Sequence, residues 1–216
     1  MNNAKNRLIF HILSLVIILG IMVTTIASEV NQVEAISQEY KEKLIRFHVI
    51  ANSDSEEDQN LKLKVRDAVI SYLQPKLQTS ESIEESEKII IDEYENLNKI
   101  SENIILENGY NYDVKVGIEY SNFPAKQYSS VVLPAGEYKA LKIVIGEGTG
   151  KNWWCVMFPP LCFIDEENGV IDKSTDEKLK SVLTEEEYKM IVQEDEQETT
   201  RVEIKFKILE LLEGIF

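Results

Sequence analysis

Apolar residues run almost without a break from Leu8 to Ile26, interrupted by His11, Ser14, Gly20, Thr24 and Thr25. Lys5 and Arg7 precede the run, and a cationic flank before an apolar stretch is the pattern of an export signal whose positive end stays cytoplasmic. The run is close to the ~20 residues needed to span a bilayer. Thr25-Ile26-Ala27 offers small residues for cleavage before Ser28, so a removed signal and a retained anchor are both open. Residues 28–43 are polar with weak helical spacing and read as a linker.

From Leu44 the period changes. In "LIRFHVI" (44–50) Ile45, Phe47 and Val49 alternate with Arg46 and His48, which predicts a short buried strand. "ANSDSEEDQN" ends it and opens a helix, with Ser53 and Glu56 as a capping box and Asp54, Glu56, Glu57 and Asp58 in the first turn, where the helix dipole favours negative charge. Leu61, Val65, Ala68, Val69 and Tyr72 form the apolar stripe, and Pro75 predicts an end or a kink. A second helix is predicted over 82–107, closed by Gly109 in a left-handed position. Tyr112, Val114, Val116, Ile118 and Tyr120 then alternate with polar residues as a strand with one wet face.

"VVLPAGEYKALKIVIGEG" reads as strand, turn at Pro134-Ala135-Gly136, strand. "WWCVMF" follows as a strand that Pro159 stops. Beyond Asp165 the chain turns acidic: a helix is predicted in "STDEKLKSVLTEEEYKMIVQEDEQE", and "RVEIKFKILELLEGIF" alternates first like a strand and then like a helix. The fold class is α+β, a mostly antiparallel sheet with two N-terminal helices and an acidic C-terminal helical segment. The expected division is a leader or anchor (1–27), a linker (28–43), an α+β domain (44–170) and an acidic segment (171–216).

Composition changes this picture in one respect. The chain of 216 residues carries 23 Lys and Arg against 38 Asp and Glu, a formal charge of −15. No cationic cluster suits nucleic acid, and both leader cations precede Ser28, so an exported remainder is more acidic still.

Candidate chemistry is sparse. "GEGTGKN" fails the phosphate-loop pattern, since Ile145 and Asn152 stand where a glycine and a Ser or Thr are required. "DSEEDQN" lacks the glycine and final glutamate of a calcium loop. Cys155, Cys162 and His48 fall short of a closed zinc site, so no metal and no cofactor is expected. Cys155 with His48, the one histidine outside the leader, is a candidate thiol–imidazole pair, against which stands the apolar setting that would suppress the thiolate. In an exported protein Cys155 and Cys162 are also a candidate disulfide; two reduced buried thiols are the alternative.

"HVIANSDSEEDQNLKLKVRDAV" (48–69), "VLPAGEYKALKIVIGEGTGKNWWCVMFPPLCF" (132–163) and the leader together resemble the stage II sporulation protein R family of endospore-forming Firmicutes. The resemblance covers most of residues 44–164. It implies a non-enzymatic signal made in the forespore and exported toward the intermembrane space. Its implied partner is the sporulation sigma-E factor-processing peptidase, a mother-cell membrane aspartic protease that removes the pro-sequence of sigma-E. The family supplies no binding residues to carry over, so the candidates come from motif chemistry. Trp153, Trp154, Phe158, Pro159, Pro160, Leu161 and Phe163 are aromatic and apolar anchors of the kind that dominate interfaces; burial in the core is the competing reading. Asn52, Asp54, Asp58, Gln59, Arg66 and Asp67 form a second candidate surface, with helix capping as its alternative. A cell-envelope thiol hydrolase using Cys155 and His48 is the competing function.

Overall fold

The computed structural model describes residues 2–163 and 173–192, with the side chains of 2–6, 8–10, 12, 26, 27, 29–34, 37 and 163 outside that description. Helix α1 (Asn2–Glu42) runs through both the apolar stretch and the polar residues read as a linker, and only Lys43 and Leu44 separate it from strand β1 (Ile45–Ile50). Helices α2 (Glu56–Leu77), α3 (Ile83–Asp92) and α4 (Tyr94–Glu107) follow. Next come strands β2 (Val114–Phe123), β3 (Lys126–Tyr128), β4 (Val131–Leu133), β5 (Gly136–Ile145) and β6 (Asn152–Phe158). A 3-10 turn (Leu161–Phe163) and helices α5 (Lys173–Val182) and α6 (Glu185–Ile191) complete the described chain.

The main sheet has the order β2-β5-β1-β6. Its pairings are antiparallel except β1 with β5, which are parallel. That one parallel pair follows from the three helices inserted between β1 and β2: the long connection lets β5 enter beside β1 in the same direction. The α+β class and mainly antiparallel sheet expected from the pattern are present.

Each face of the sheet has its own core. On one face Ile45, Phe47 and Val49 of β1 and Leu141, Ile143 and Ile145 of β5 meet Leu61, Val65, Val69, Leu73 and Leu77 of α2, with Ile90 and Leu97 beside them. On the other, Tyr40, Leu44, Phe123, Val131, Leu133, Tyr138, Val156, Leu179 and Ile191 pack together. The last turn of α1 and the short β3–β4 sheet thus belong to the second core, as do α5 and α6.

Several local expectations change. The α2 cap is Ser55, whose hydroxyl accepts from Asp58 N–H; Ser53 and Glu56 do not form the box. Pro75 lies inside α2, two residues before its end. The helix expected over 82–107 divides at Glu93, whose carboxylate accepts from Tyr72 and Asn96 at 2.5 Å each and pairs with Lys76 at 2.8 Å. These contacts hold Glu93 well below the usual carboxylate range, at about 2, with Lys76 the main cause. Two helices between β1 and β2 are therefore three. The 131–145 strands do not pair across Pro134: β4 pairs with β3, and β5 with β1 and β2. The acidic helix is two, α5 and α6, separated by a capping box between Thr184 and Glu187. "RVEIKFKILELLEGIF" lies outside the described residues.

Candidate docking site at the end of strand β6

Strand alternation decides where each candidate side chain goes. In an antiparallel pair, directly opposed residues share a face. Phe47 opposes Cys155, Val49 opposes Trp153, and His48 opposes Trp154. Trp153 and Cys155 therefore lie on the face covered by α2, while Trp154 shares the other face with Arg46 and His48.

The two tryptophans are half-buried, and each is backed by a ring and a basic or imidazole group. Trp153 makes an edge-to-face contact with Phe47 at 5.7 Å, and the Arg66 guanidinium lies over it at 4.8 Å. Trp154 stacks on His48 with ring centroids 4.9 Å apart and planes 7° from parallel. Phe123 meets the edge of Trp154 at 4.7 Å. Further along, Phe158, Pro159, Pro160 and Leu161 are buried. These four members of the apolar stretch are core in the described fold, and the side chain of Phe163 lies outside the described residues. Cys155 and Cys162 are disulfide-bonded, with Cα atoms 5.6 Å apart.

The second set of candidates has an internal job. Asp58 is buried and its Oδ2 accepts from Asn52 Nδ2 at 2.8 Å and Ser53 Oγ at 2.6 Å. Burial alone would raise this carboxyl, but hydrogen bonds from Ser53, Asn52 and Tyr112 outweigh it and hold the pKa below the ordinary value. Asn52 Oδ1 accepts from Glu147 N–H at 3.0 Å, and Asp54 Oδ1 from Lys151 N–H at 2.7 Å. Lys62 Nζ donates to Lys151 O at 3.0 Å and to Gln59 Oε1 at 2.5 Å. The β1–α2 turn is thus a clamp on the loop before β6. Gly150 permits the approach: a Cβ there would stand 2.1 Å from Ser53 O. Arg66 and Asp67 pair at 2.6 Å on the surface. Through Arg66 on Trp153 and Lys62 on Lys151, the two sequence patches meet in one region.

The same alternation separates the thiol–imidazole pair. Cys155 and His48 lie on opposite faces of the sheet, and Cys155 is committed to Cys162. The catalytic reading of these two residues is therefore corrected. His48 is 3% exposed, and among the described residues neither ring nitrogen has a hydrogen-bond partner. Burial, then Lys142 and Arg46, push its pKa down to about 4 against the opposing pull of Glu119, so the imidazole is neutral near pH 7.

Sequence reading missed Arg46. It is fully buried, donates from Nε to Cys155 O at 3.0 Å and from a terminal nitrogen to Tyr128 Oη at 2.9 Å, and among the described residues its other terminal nitrogen has no partner. Its guanidinium lies 4.3 Å from the Phe123 ring and 4.8 Å from Tyr138. Aromatic faces replace a carboxylate as its counter-charge. Burial lowers its pKa from the ordinary arginine value. The partners come from β2, β3, β5 and β6, so no local pattern around residue 46 announces them.

With this geometry in view, comparison with known proteins is informative. The family model for stage II sporulation protein R matches residues 41–168. The chain belongs to the stage II sporulation protein R family. The Stage II sporulation protein R of Bacillus subtilis (strain 168) is 35% identical over 184 residues, covering 81% of this chain and 82% of that protein. No solved structure matches. The matched region spans the sheet, the clamp and both tryptophans, and membership makes this a sporulation protein. Among the described residues no helix is long and apolar enough to cross a membrane, and no group of three or more His, Cys, Asp or Glu is placed to hold a metal. The run from Leu8 to Ile26 includes side chains outside that description.

Proposed function

We propose that this chain is an exported signal that switches on a membrane aspartic protease, which then removes the pro-sequence of sigma-E, and that it acts by contact and not by catalysis. Family membership supports the sporulation role. The observation that carries the contact mechanism is the pair of half-buried tryptophans at the end of β6, each braced from behind: Trp153 by Arg66 and Phe47, Trp154 by His48 and Phe123. Rigid, partly exposed Trp next to Arg is the composition of an interface hot spot. Export is supported by the leader and by α1, where Leu13, Leu15 to Leu19 and Ile21 to Val23 stand more than half exposed with no protein cover, a surface suited to lipid or to translocation.

The test is co-expression of the full chain with the protease and pro-sigma-E. Trp153→Ala and Trp154→Ala are each scored for processing and for melting temperature. At least one is expected to melt near the parent and fail to trigger processing. If every inactive variant is also unfolded, the tryptophans serve the core and the protease is met elsewhere.

A further inference from the structure

Among the described residues, strand β2 stands at the edge of the sheet opposite β6, with β5 as its sole strand neighbour. Ile118 N–H donates to the Tyr94 hydroxyl at 2.6 Å, so it points away from β5. By strand alternation the backbone groups of Val114, Val116, Ile118 and Tyr120 then face outward, and those of Lys115, Gly117 and Glu119 face β5. Gly117 lies near the middle of this strand. A Cβ built there meets nothing within 4 Å, so nothing among the described residues calls for glycine. Glycine in a strand interior weakens it and often marks the close approach of another backbone.

Read outward from Gly117, the strand is self-complementary. Val116 and Ile118 flank it, then Lys115 and Glu119, then Val114 and Tyr120. We propose that two copies of this chain pair antiparallel through β2 about a two-fold axis at Gly117, joining their four-stranded sheets into one. The register sets Val116 against Ile118, Lys115 against Glu119, and Val114 against Tyr120 of the second copy. Apolar, oppositely charged and aromatic–aliphatic pairs of this kind stabilise adjacent strands. It also satisfies parity. Val116 and Ile118 both present outward backbone groups and form hydrogen-bonded pairs, while Gly117 meets its equivalent at the narrow spacing, about 4.5 Å between Cα atoms.

The side chains are available for it. Lys115 is exposed and makes no ion pair among the described residues. Glu119 is 53% exposed and reaches Lys142 at 2.7 Å through one oxygen, leaving the other for a second cation. Tyr120 is 62% exposed. The Tyr94 hydroxyl holds the Ile118 N–H in the single copy and gives way to a carbonyl of the incoming strand, one hydrogen bond exchanged for another. Two chains of net charge −15 repel at long range, but salt screens this beyond ~8 Å at physiological ionic strength. The pairing is independent of the protease reading.

The test uses the full chain in detergent at physiological salt, with one cysteine added at a time and mild oxidation read on non-reducing gels. Gly117→Cys is expected to cross-link to itself several-fold more than Lys115→Cys, Glu119→Cys or the parent. Lys115→Cys mixed with Glu119→Cys is expected to give a mixed dimer. In the Gly117→Cys background, Lys115→Glu lowers the yield several-fold, and adding Glu119→Lys restores it. Association through α1 alone would not show this register. Equal yields at 115, 117 and 119, or none at 117, overturns the proposal.

Discussion

At the scale of single residues, β1 places two basic side chains inside the protein with no carboxylate among the described residues to meet them, and the consequences differ. Arg46 stays charged because aromatic faces and two acceptors surround it. His48 gives up its charge. An imidazole with a pKa of about 4 when folded and about 6.5 when unfolded makes the unfolded state take up the proton first. Its contribution is intact above pH 6.5 and is lost as pH falls toward 4, by about 3 kcal/mol. His48→Phe, which keeps a ring against Trp154, is expected to flatten the decline in unfolding free energy between pH 6.5 and 4.5; an unchanged slope contradicts this. His48→Gln is expected to retain signalling, because the imidazole faces away from Cys155. Phe158 differs from both tryptophans at this scale. It is fully buried, so Phe158→Ala is expected to cost about 3–5 kcal/mol and to lose activity only by unfolding.

At the scale of elements, the clamp between the β1–α2 turn and the loop before β6 positions the tryptophans. Gly150→Ala drives a Cβ into Ser53 O and is expected to destabilise by about 2 kcal/mol or more in urea titration. Gly117→Ala, with open space at its Cβ, is expected to be neutral or to stabilise by about 0.5 kcal/mol. Similar losses at both positions would remove the clamp as an explanation. The same elements show what the chain pattern could reveal. Alternation identified β1 and β2, and the 3.6-residue stripe identified α2, because local period reports which face is buried; β6 was legible from its β-favouring run and the proline that stops it. The break at Glu93 was hidden, since its stabilising contacts come from Tyr72 and Lys76 of another helix. The partner of β4 was hidden too: a three-residue strand carries no register information. The apolar stretch was legible as a unit, but its division into half-exposed Trp153 and Trp154 and buried Phe158 to Leu161 depends on what α2, α5 and the 3-10 turn cover.

At the scale of the whole molecule, the proposed reading joins the apolar N-terminal stretch, the acidic body and the braced tryptophans into an exported ligand. α1 enters the second core through Tyr40, and Lys43 meets Glu187 of α6 at 2.7 Å. The N-terminal helix therefore runs without a break from the apolar stretch into the second core. Deleting residues 1–27 leaves that contact in place and is expected to give folded, cytoplasmic protein that triggers no processing; normal processing by such protein would sink the export requirement. The claim that the chain acts by contact is tested most directly by titration. Purified full chain is added to the protease and pro-sigma-E in liposomes, and the initial rate of sigma-E maturation is followed against the molar ratio of chain to protease. A contact signal is expected to raise the rate in proportion to chain and to saturate near equivalence. Full protease activity from trace chain, accumulating with time and persisting after the chain is removed, would contradict the account and show that the chain works by chemistry.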